Sequence, residues 1–273
     1  MKLEQLERKT FHRDGLALTW FDAGGEGLPV VFQHGLLGDA NQTAEVFPDD
    51  RRLRLITLEC RGHGNSEDDP SAGFAIAAFT DDVAALIDQL GPPRVVIGGI
   101  SMGAAIASRL AVKRPDLTRA LVLARPAWVT EGAPPNMQPN AEVGRLLAGY
   151  PAAAARALFE QRPTARRLAE AAPDNLASLL RFFDRRPADT TAQLLMAISA
   201  DGPGITESDL AGLSVPTLVI GHERDAVHPI GHAETLARLI PAARMAVITP
   251  KATDKAAHIE QFRNALQSFL EVA

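Results

Sequence analysis

Short apolar runs recur along the chain, and few of them alternate with polar residues. They are "LALTWF" (16–21), "PVVFQ" (29–33), "LRLITLE" (53–59), "RVVIGGI" (94–100), "ALVLAR" (120–125), "PTLVIGH" (216–222) and "RMAVIT" (244–249). Unbroken Val, Ile and Leu runs of this length mark strands buried on both faces. Between them the apolar positions switch to helical spacing. In "TDDVAALIDQLG", Val83, Leu86, Ile87 and Leu90 fall at i, i+3, i+4 and i+7. Thr80 is the expected N-cap, Asp81 and Asp82 occupy the first turn, and Gly91 stops the helix. "MGAAIASRLAVKRP" is Ala-rich and ends before Pro115, with Lys113 and Arg114 at the negative end of its dipole. "HAETLARLIP" and "AAHIEQFRNALQSFL" carry similar stripes. Strands alternating with helices predict an α/β fold, a mostly parallel sheet flanked by helices.

One interval breaks the rhythm. From 129 to 213 no strand pattern is found. "TEGAPPNMQPNAE" reads as a loop, and "EVGRLLAGYPAAAARALFEQ", "ARRLAEAA", "DNLASLLRFFDRR" and "TTAQLLMAISA" read as helices. The expected organisation is a core in two pieces, 1–128 and 214–273, with a helical lid at 129–213 inserted between late strands.

Composition narrows the function classes. The 273 residues are 46% hydrophobic and 22% charged, the balance of an ordinary globular protein, and can bury a sizeable core. The net charge of −5 is interspersed, without a basic face, so nucleic acid is not an expected partner. A single cysteine, Cys60, rules out an intrachain disulfide and fits a reducing compartment. The start "MKLEQLERKTFHRDG" lacks an apolar signal region, and no apolar stretch is long enough to cross a bilayer. A cytoplasmic location without membrane contact is therefore expected, and a homodimer is left open. No Cys/His cluster has zinc spacing, and no P-loop or dinucleotide fingerprint occurs, so neither metal nor cofactor is expected. Cys60, at a strand end, reads as a structural thiol.

The candidate chemistry lies in "RVVIGGISMGAAIASRL", a strand, a tight turn and a helix. Gly99-Ile100-Ser101-Met102-Gly103 fits G-x-S-x-G. In such an elbow the nucleophile takes a strained conformation, and a Cβ at Gly99 or Gly103 would strike the adjoining strand or helix. Ser101 then stands at the sheet's carboxyl edge, where the helix dipole and the Met102 N–H face any developing negative charge. The plainer reading is a serine that only caps the helix.

With "QHGLLG" (33–38), "CRGHGNS" (60–66), "GISMG" (99–103), "PTLVIGHERDAVHP" (216–229) and "FRNALQSFL" (262–270) in this order, the chain resembles the α/β-hydrolase superfamily over nearly its whole length. The likeness is to the lidded branch of esterases, enol-lactone hydrolases, C–C hydrolases and cofactor-free haloperoxidases. It implies an oxyanion hole formed by the backbone N–H groups of Leu36 and Met102, with His34 and His63 bracing loops. It also implies an acid at Asp225, in an Asp-x-x-x-Pro pattern with Pro229, that orients a catalytic histidine. The order Ser…Asp…His points to His258 as the base. Family members carry Gly-His a few residues after the last strand, whereas this chain reads "TPKATDKAAHIEQF". With Thr253 as N-cap, His258 falls inside the final helix; with a start near Ile259, it stays in the loop. His228 and His222, beside Asp225 in the sequence, are its competitors.

The resemblance thus implies a serine hydrolase acting on a small, largely apolar ester or lactone, with a C–C hydrolase also within its range. Phe182, Phe183 and Met196 are expected to make the lid side of the pocket apolar, and Trp128 either lines it or packs at the lid's entry. Arg162, Arg166, Arg167, Arg181, Arg185 and Arg186 read as a solvated face, with an anion-holding role as the alternative. The competing reading is a catalytically weak or non-catalytic small-molecule binder on a hydrolase scaffold, motivated by the setting of His258.

Overall fold

Strand β5 (Val95–Ile100) is buried at all six positions because it lies inside a sheet covered on both faces. The computed structural model describes residues 1–69, 73–92 and 94–272. Residues 70–72, Pro93 and Ala273, which the expected core pieces include, lie outside the described residues. Along the chain run β1 (Glu7–Arg13), β2 (Leu16–Asp22), β3 (Leu28–Gln33), α1 (Ala40–Val46), β4 (Leu53–Leu58), α2 (Ile76–Leu90) and β5. They are followed by α3 (Met102–Lys113) and β6 (Thr118–Ala124). Next come α4 (Gln138–Gly149), α5 (Ala152–Glu160), α6 (Pro163–Ala171), α7 (Pro173–Phe182), α8 (Ala188–Ala200) and α9 (Glu207–Ala211). The chain closes with β7 (Thr217–Gly221), α10 (Ile230–Leu239), β8 (Ala243–Val247) and α11 (Lys255–Leu270).

The sheet order is β1-β2-β4-β3-β5-β6-β7-β8. β1 and β2 pair antiparallel, as do β2 and β4, and every later pairing is parallel. All seven apolar runs are strands. β1, "ERKTFHR", is one more: it is a half-exposed edge strand with a single buried residue, Phe11, so it lacks the apolar run that marks the others.

Side chains alternate between two cores. Val95 and Ile97 join α2, α3 and α10 on one face; Val96 and Ile100 join α1 and α11 on the other. α11 seals the second face with Phe262, Leu266, Phe269 and Leu270, all buried. Removal of one such side chain costs on the order of 2–5 kcal/mol. The register Gln33↔Gly99 and Ile100↔Ala124 ends β3, β5 and β6 at one edge. The loops leaving that edge carry the candidate site.

The starts of α2 and α4 differ from the sequence expectation. α2 begins at Ile76, a turn before Thr80, whose hydroxyl donates to Ile76 O inside the helix. The N-cap residue is Ala75, without a capping side chain; Asp201 Oδ2 instead accepts the Ile76 N–H at 2.7 Å. A cap supplied from 125 residues away leaves no local signature. α4 begins at Gln138, within the stretch read as loop, because Pro139 suits a helix's first turn. Gly91 ends α2 in the left-handed region at φ 68°, as expected. Helices α4–α9 fill the interval between β6 and β7.

Candidate active site

Ser101 sits between β5 and α3 at φ 58°, ψ −111°. A non-glycine residue there stores on the order of 1–3 kcal/mol of strain, held by its surroundings. The Ser101 N–H donates to Ala124 O at 2.9 Å. A Cβ on Gly99 would collide with the Gly103 backbone, and one on Gly103 with Gln33 O. The Ser101 side chain makes no capping hydrogen bond to α3, so the capping role is absent. Its hydroxyl donates elsewhere, to His228 Nε2 at 2.8 Å.

His228 lies on the loop after β7, three residues past Asp225. That loop closes on itself: Asp225 Oδ1 accepts the His228 N–H at 3.0 Å. The turn swings the imidazole back over the acid, and its Nδ1–H donates to Asp225 Oδ2 at 2.9 Å. With Nδ1 protonated, Nε2 carries the lone pair that accepts the Ser101 hydroxyl's hydrogen bond. Asp225 also accepts from Arg125 Nε and Nη2 at 3.1 and 2.6 Å and from Asn175 Nδ2 at 2.9 Å. Arg125 Nη2 comes within 3.2 Å of His228 Nδ1.

The electrostatics follow from this packing. Burial alone would raise the Asp225 carboxyl, but His228, Arg125 and their hydrogen bonds hold it well below the usual range. Burial lowers His228 below 6.5; Asp225 opposes this and Arg125 adds to it. The pair is therefore a carboxylate beside a neutral imidazole at neutral pH, the state a general base requires.

His258 does not join this group. α11 begins at Lys255 with Asp254, not Thr253, as the N-cap, so His258 is fixed within the first turns. Its Nδ1–H donates to Thr249 O at 2.9 Å, and its ring packs edge-on against His222 with centroids 5.2 Å apart. Burial foremost pushes it down to about 4. The expected base thus braces the loop after β8. His222 lies one layer behind the acid: its Nδ1–H donates to Glu223 O at 2.7 Å, and Nε2 is 3.4 Å from Asp225 Oδ2.

The other expected positions are as follows. Leu36 belongs to a loop locked by Gln42 Oε1, which accepts the Gly35 N–H at 2.7 Å, and by a Gly38 N–H to Gly35 O bond of 2.8 Å. A Cβ on Gly35 would lie 3.3 Å from Ser101 Cβ, so this loop abuts the elbow. Among the described residues no turn, loop or cap acceptor engages the Leu36 or Met102 N–H. His34 is a brace: Nδ1–H donates to Gly35 O at 2.8 Å, and Nε2 accepts the Cys60 N–H at 3.0 Å. The His63 ring lies tilted against it with centroids 4.9 Å apart, and its Nδ1–H donates to Arg61 O. Cys60 is buried, and burial raises its thiol well above the ordinary value, which fits a structural thiol.

A cavity of about 520 Å³ opens over Ser101. Its apolar wall includes Leu36, Leu179, Phe182 and Val227; Arg125, Arg181 and Arg185 also face it. The apolar expectation therefore holds only in part. Phe183 packs against Phe159 at 5.8 Å, and Trp128 is buried with Nε1–H donating to Asp201 O. Neither they nor Met196 lines the cavity. Arg125 and Asn175 were invisible to sequence reasoning as site residues, since each reaches Asp225 across 100 and 50 residues respectively.

No helix among the described residues is long and apolar enough to cross a membrane. The family described as alpha/beta hydrolase fold matches residues 29–265. The mouse (Mus musculus) sn-1-specific diacylglycerol lipase ABHD11 is 31% identical over 274 residues, covering 90% of this chain and 82% of that protein. The Pseudomonas putida dihydrolipoyllysine-residue acetyltransferase component of the acetoin cleaving system is 30% identical over 226 residues. That match covers 80% of this chain and 58% of that longer protein. The solved structure of Est816, described as an N-acyl homoserine lactone degrading enzyme, superposes with a TM-score of 0.69. It is 27% identical, with 97% of this chain and 98% of that one covered. A serine on a strained strand-to-helix turn, an eight-stranded sheet of this order and a match across most of the chain agree: the protein belongs to the α/β-hydrolase fold family and is a hydrolase by kinship.

Proposed function

We propose that the protein is a serine hydrolase of small esters or lactones, working through an acyl-enzyme on Ser101 with His228 as base and Asp225 as acid. One observation carries this reading: a continuous chain of hydrogen bonds runs from Ser101 Oγ to His228 Nε2 and from Nδ1 to Asp225.

His228 Nε2 takes the hydroxyl proton as Oγ attacks the carbonyl carbon. The oxyanion that forms is held by the Leu36 and Met102 N–H groups, each contributing about 3 kcal/mol of barrier lowering. The imidazolium, stabilised by Asp225, returns the proton to the leaving alkoxide. Water then repeats the sequence and releases the acid. Helices α4–α8 act as a lid, since Asn140, Asn175, Leu179 and Phe182 from them wall the cavity over Ser101. The weak-binder alternative drew on the position of His258, and it loses that motive with His228 within hydrogen-bond distance of the nucleophile.

The test is turnover of 4-nitrophenyl acetate by Ser101→Ala, His228→Ala and His258→Ala. The first two are expected to lose about a thousandfold or more in kcat, and the third to remain within about tenfold of wild type. If Ser101→Ala and wild type react alike, the hydrolase reading fails. If His228→Ala is active and His258→Ala is not, the base assignment fails alone.

A further inference from the structure

Arg185 lines the same cavity as Ser101, on the segment between α7 and α8. Its guanidinium makes no hydrogen bond or ion pair with any described residue. The neighbouring arginines are engaged. Arg125 is bound to Asp225, Arg181 Nη2 donates to Ser178 Oγ at 3.0 Å, and Arg186 Nη1 donates to Phe183 O and Arg185 O. Asp39 and Glu59 are close enough to feel the Arg185 charge, but neither carboxylate makes an ion pair with it, and each is held by other donors. Asp39 Oδ1 accepts the Asn41 N–H, and Glu59 takes the N–H groups of Ala40 and Asn65. Asp184 also borders the cavity, yet its carboxylate is 3.4 Å from Arg156.

Half-burying a cation without a partner is costly, and arginine cannot escape by losing its proton. Burial weakens its hold on the proton even so. The imbalance extends beyond one residue. Arg181 stands on the same wall. Lys251, lowered first by burial, is opposed by Glu45 and further lowered by Lys255, Arg125 and Arg181. Neither Asp39 nor Glu59 forms an ion pair with Arg185, so its guanidinium is left facing the cavity.

We propose that the substrate is an ester or lactone carrying a free carboxylate, and that Arg185 binds this carboxylate while Ser101 attacks the ester carbonyl. A planar guanidinium fork matches the two oxygens of a carboxylate. This deepens the hydrolase reading and rests on it for the reaction, but not for the binding.

The experiment compares 4-nitrophenyl hydrogen adipate with its neutral methyl ester as substrates for wild type, Arg185→Met and Arg167→Met. Arg167 is an exposed arginine of α6 outside the cavity. Wild type is expected to favour the charged ester by about tenfold or more in kcat/KM. Arg185→Met should erase that preference, and Arg167→Met should leave it. A wild-type ratio at or below unity, or a ratio unmoved by Arg185→Met, overturns the proposal. A second arm measures calorimetric binding of methyl hydrogen adipate to Ser101→Ala with and without Arg185→Met. Arg185-dependent binding with no turnover of either ester would sink the hydrolase reading and keep the carboxylate site. Ser101-dependent turnover without charge preference or Arg185-dependent binding would do the reverse.

Discussion

Asn175 Nδ2 donates to Asp225 Oδ1 at 2.9 Å, so a helix of the interval between β6 and β7 grips the acid of the proposed triad. The same side chain accepts the Ala226 and Val227 N–H groups through Oδ1, at 2.6 and 3.3 Å. One amide thus fixes both the carboxylate and the backbone that follows it. Truncation leaves buried donors unpaired, at about 1–3 kcal/mol. Asn175→Ala is expected to lower kcat about tenfold by loosening Asp225, a modest loss beside removal of a triad member. Asn175→Asp keeps the shape but sets a second carboxylate against Asp225, and its loss should be larger. Steady-state kinetics of the two variants decide the matter; equal, wild-type rates in both would remove Asn175 from the mechanism.

Arg125 should set the acid limb of the pH profile. The free enzyme needs neutral His228, so kcat/KM falls as pH drops through the His228 pKa. Burial first, and Arg125 after Asp225's opposing effect, place that pKa below 6.5. Replacing Arg125 by Met removes a cation 3.2 Å from Nδ1, which favours the protonated imidazole. The limb should therefore move to higher pH in Arg125→Met, with activity at low pH falling more than activity on the plateau. A pH–rate profile for both proteins, measured with a neutral ester to keep substrate charge constant, gives the answer. A limb that stays put or moves down would show that Arg125 only packs.

Much of this arrangement was legible because it is written locally. The six inner strands carry apolar runs that a sheet covered on both faces accounts for, and the edge strand β8 is marked by the run "RMAVIT" although it is only partly buried. The elbow announces itself because Gly99 and Gly103 each abut backbone. Asp225 was legible from its place after β7. The proposed base was not, because His228, His232 and His258 all follow the acid and the choice turns on loop geometry. Asp225 Oδ1 accepting the His228 N–H makes the turn that presents this imidazole to Ser101, and nothing in "ERDAVHP" distinguishes it from a solvated turn. His258 was misplaced for the converse reason. Asp254 caps α11 early, and the helix carries His258 to Thr249 O. Edge strand β1, the Asp201 cap and the Arg125 and Asn175 contacts all depend on partners distant in sequence.

His258 gives a stability prediction in place of a catalytic one. Its pKa is about 4 in the folded protein against 6.5 for the free side chain. Between these values the unfolded chain binds a proton that the folded chain does not. Stability therefore falls as pH drops from 6.5 towards 4 and is level above 6.5 as far as this group is concerned. One proton corresponds to a slope of at most about 1.4 kcal/mol per pH unit. His258→Gln removes the titration and should flatten the acid side of the profile, even if it lowers stability at pH 7 by loosening Thr249. Denaturant unfolding of both proteins across this window measures the slope, and parallel profiles would contradict the assignment.

Asp201 ties the interval between β6 and β7 to the core at a second point. Its Oδ2 accepts the Ile76 N–H at 2.7 Å, and its carbonyl accepts from Trp128 Nε1 at 2.9 Å and from the Ala133 N–H at 3.1 Å. The carbonyl contacts survive any substitution, so the side chain's role can be isolated. Asp201→Ala leaves the start of α2 without the acceptor that Ala75 cannot supply and without a negative charge at the positive end of the helix dipole. Loss of a cap costs about 1 kcal/mol and the charge adds about 0.3–1 kcal/mol. For a chain of this size that is a fall of about 2–4 °C in Tm. Asp201→Asn keeps an acceptor and gives up only the charge, so it should recover more than half of that fall at low salt. At high salt, where the charge is screened, Asp201→Asn and wild type should converge while Asp201→Ala stays low. Thermal unfolding of the three proteins at two salt concentrations checks this; an Asp201→Ala Tm equal to wild type would mean that α2 begins without help from across the molecule.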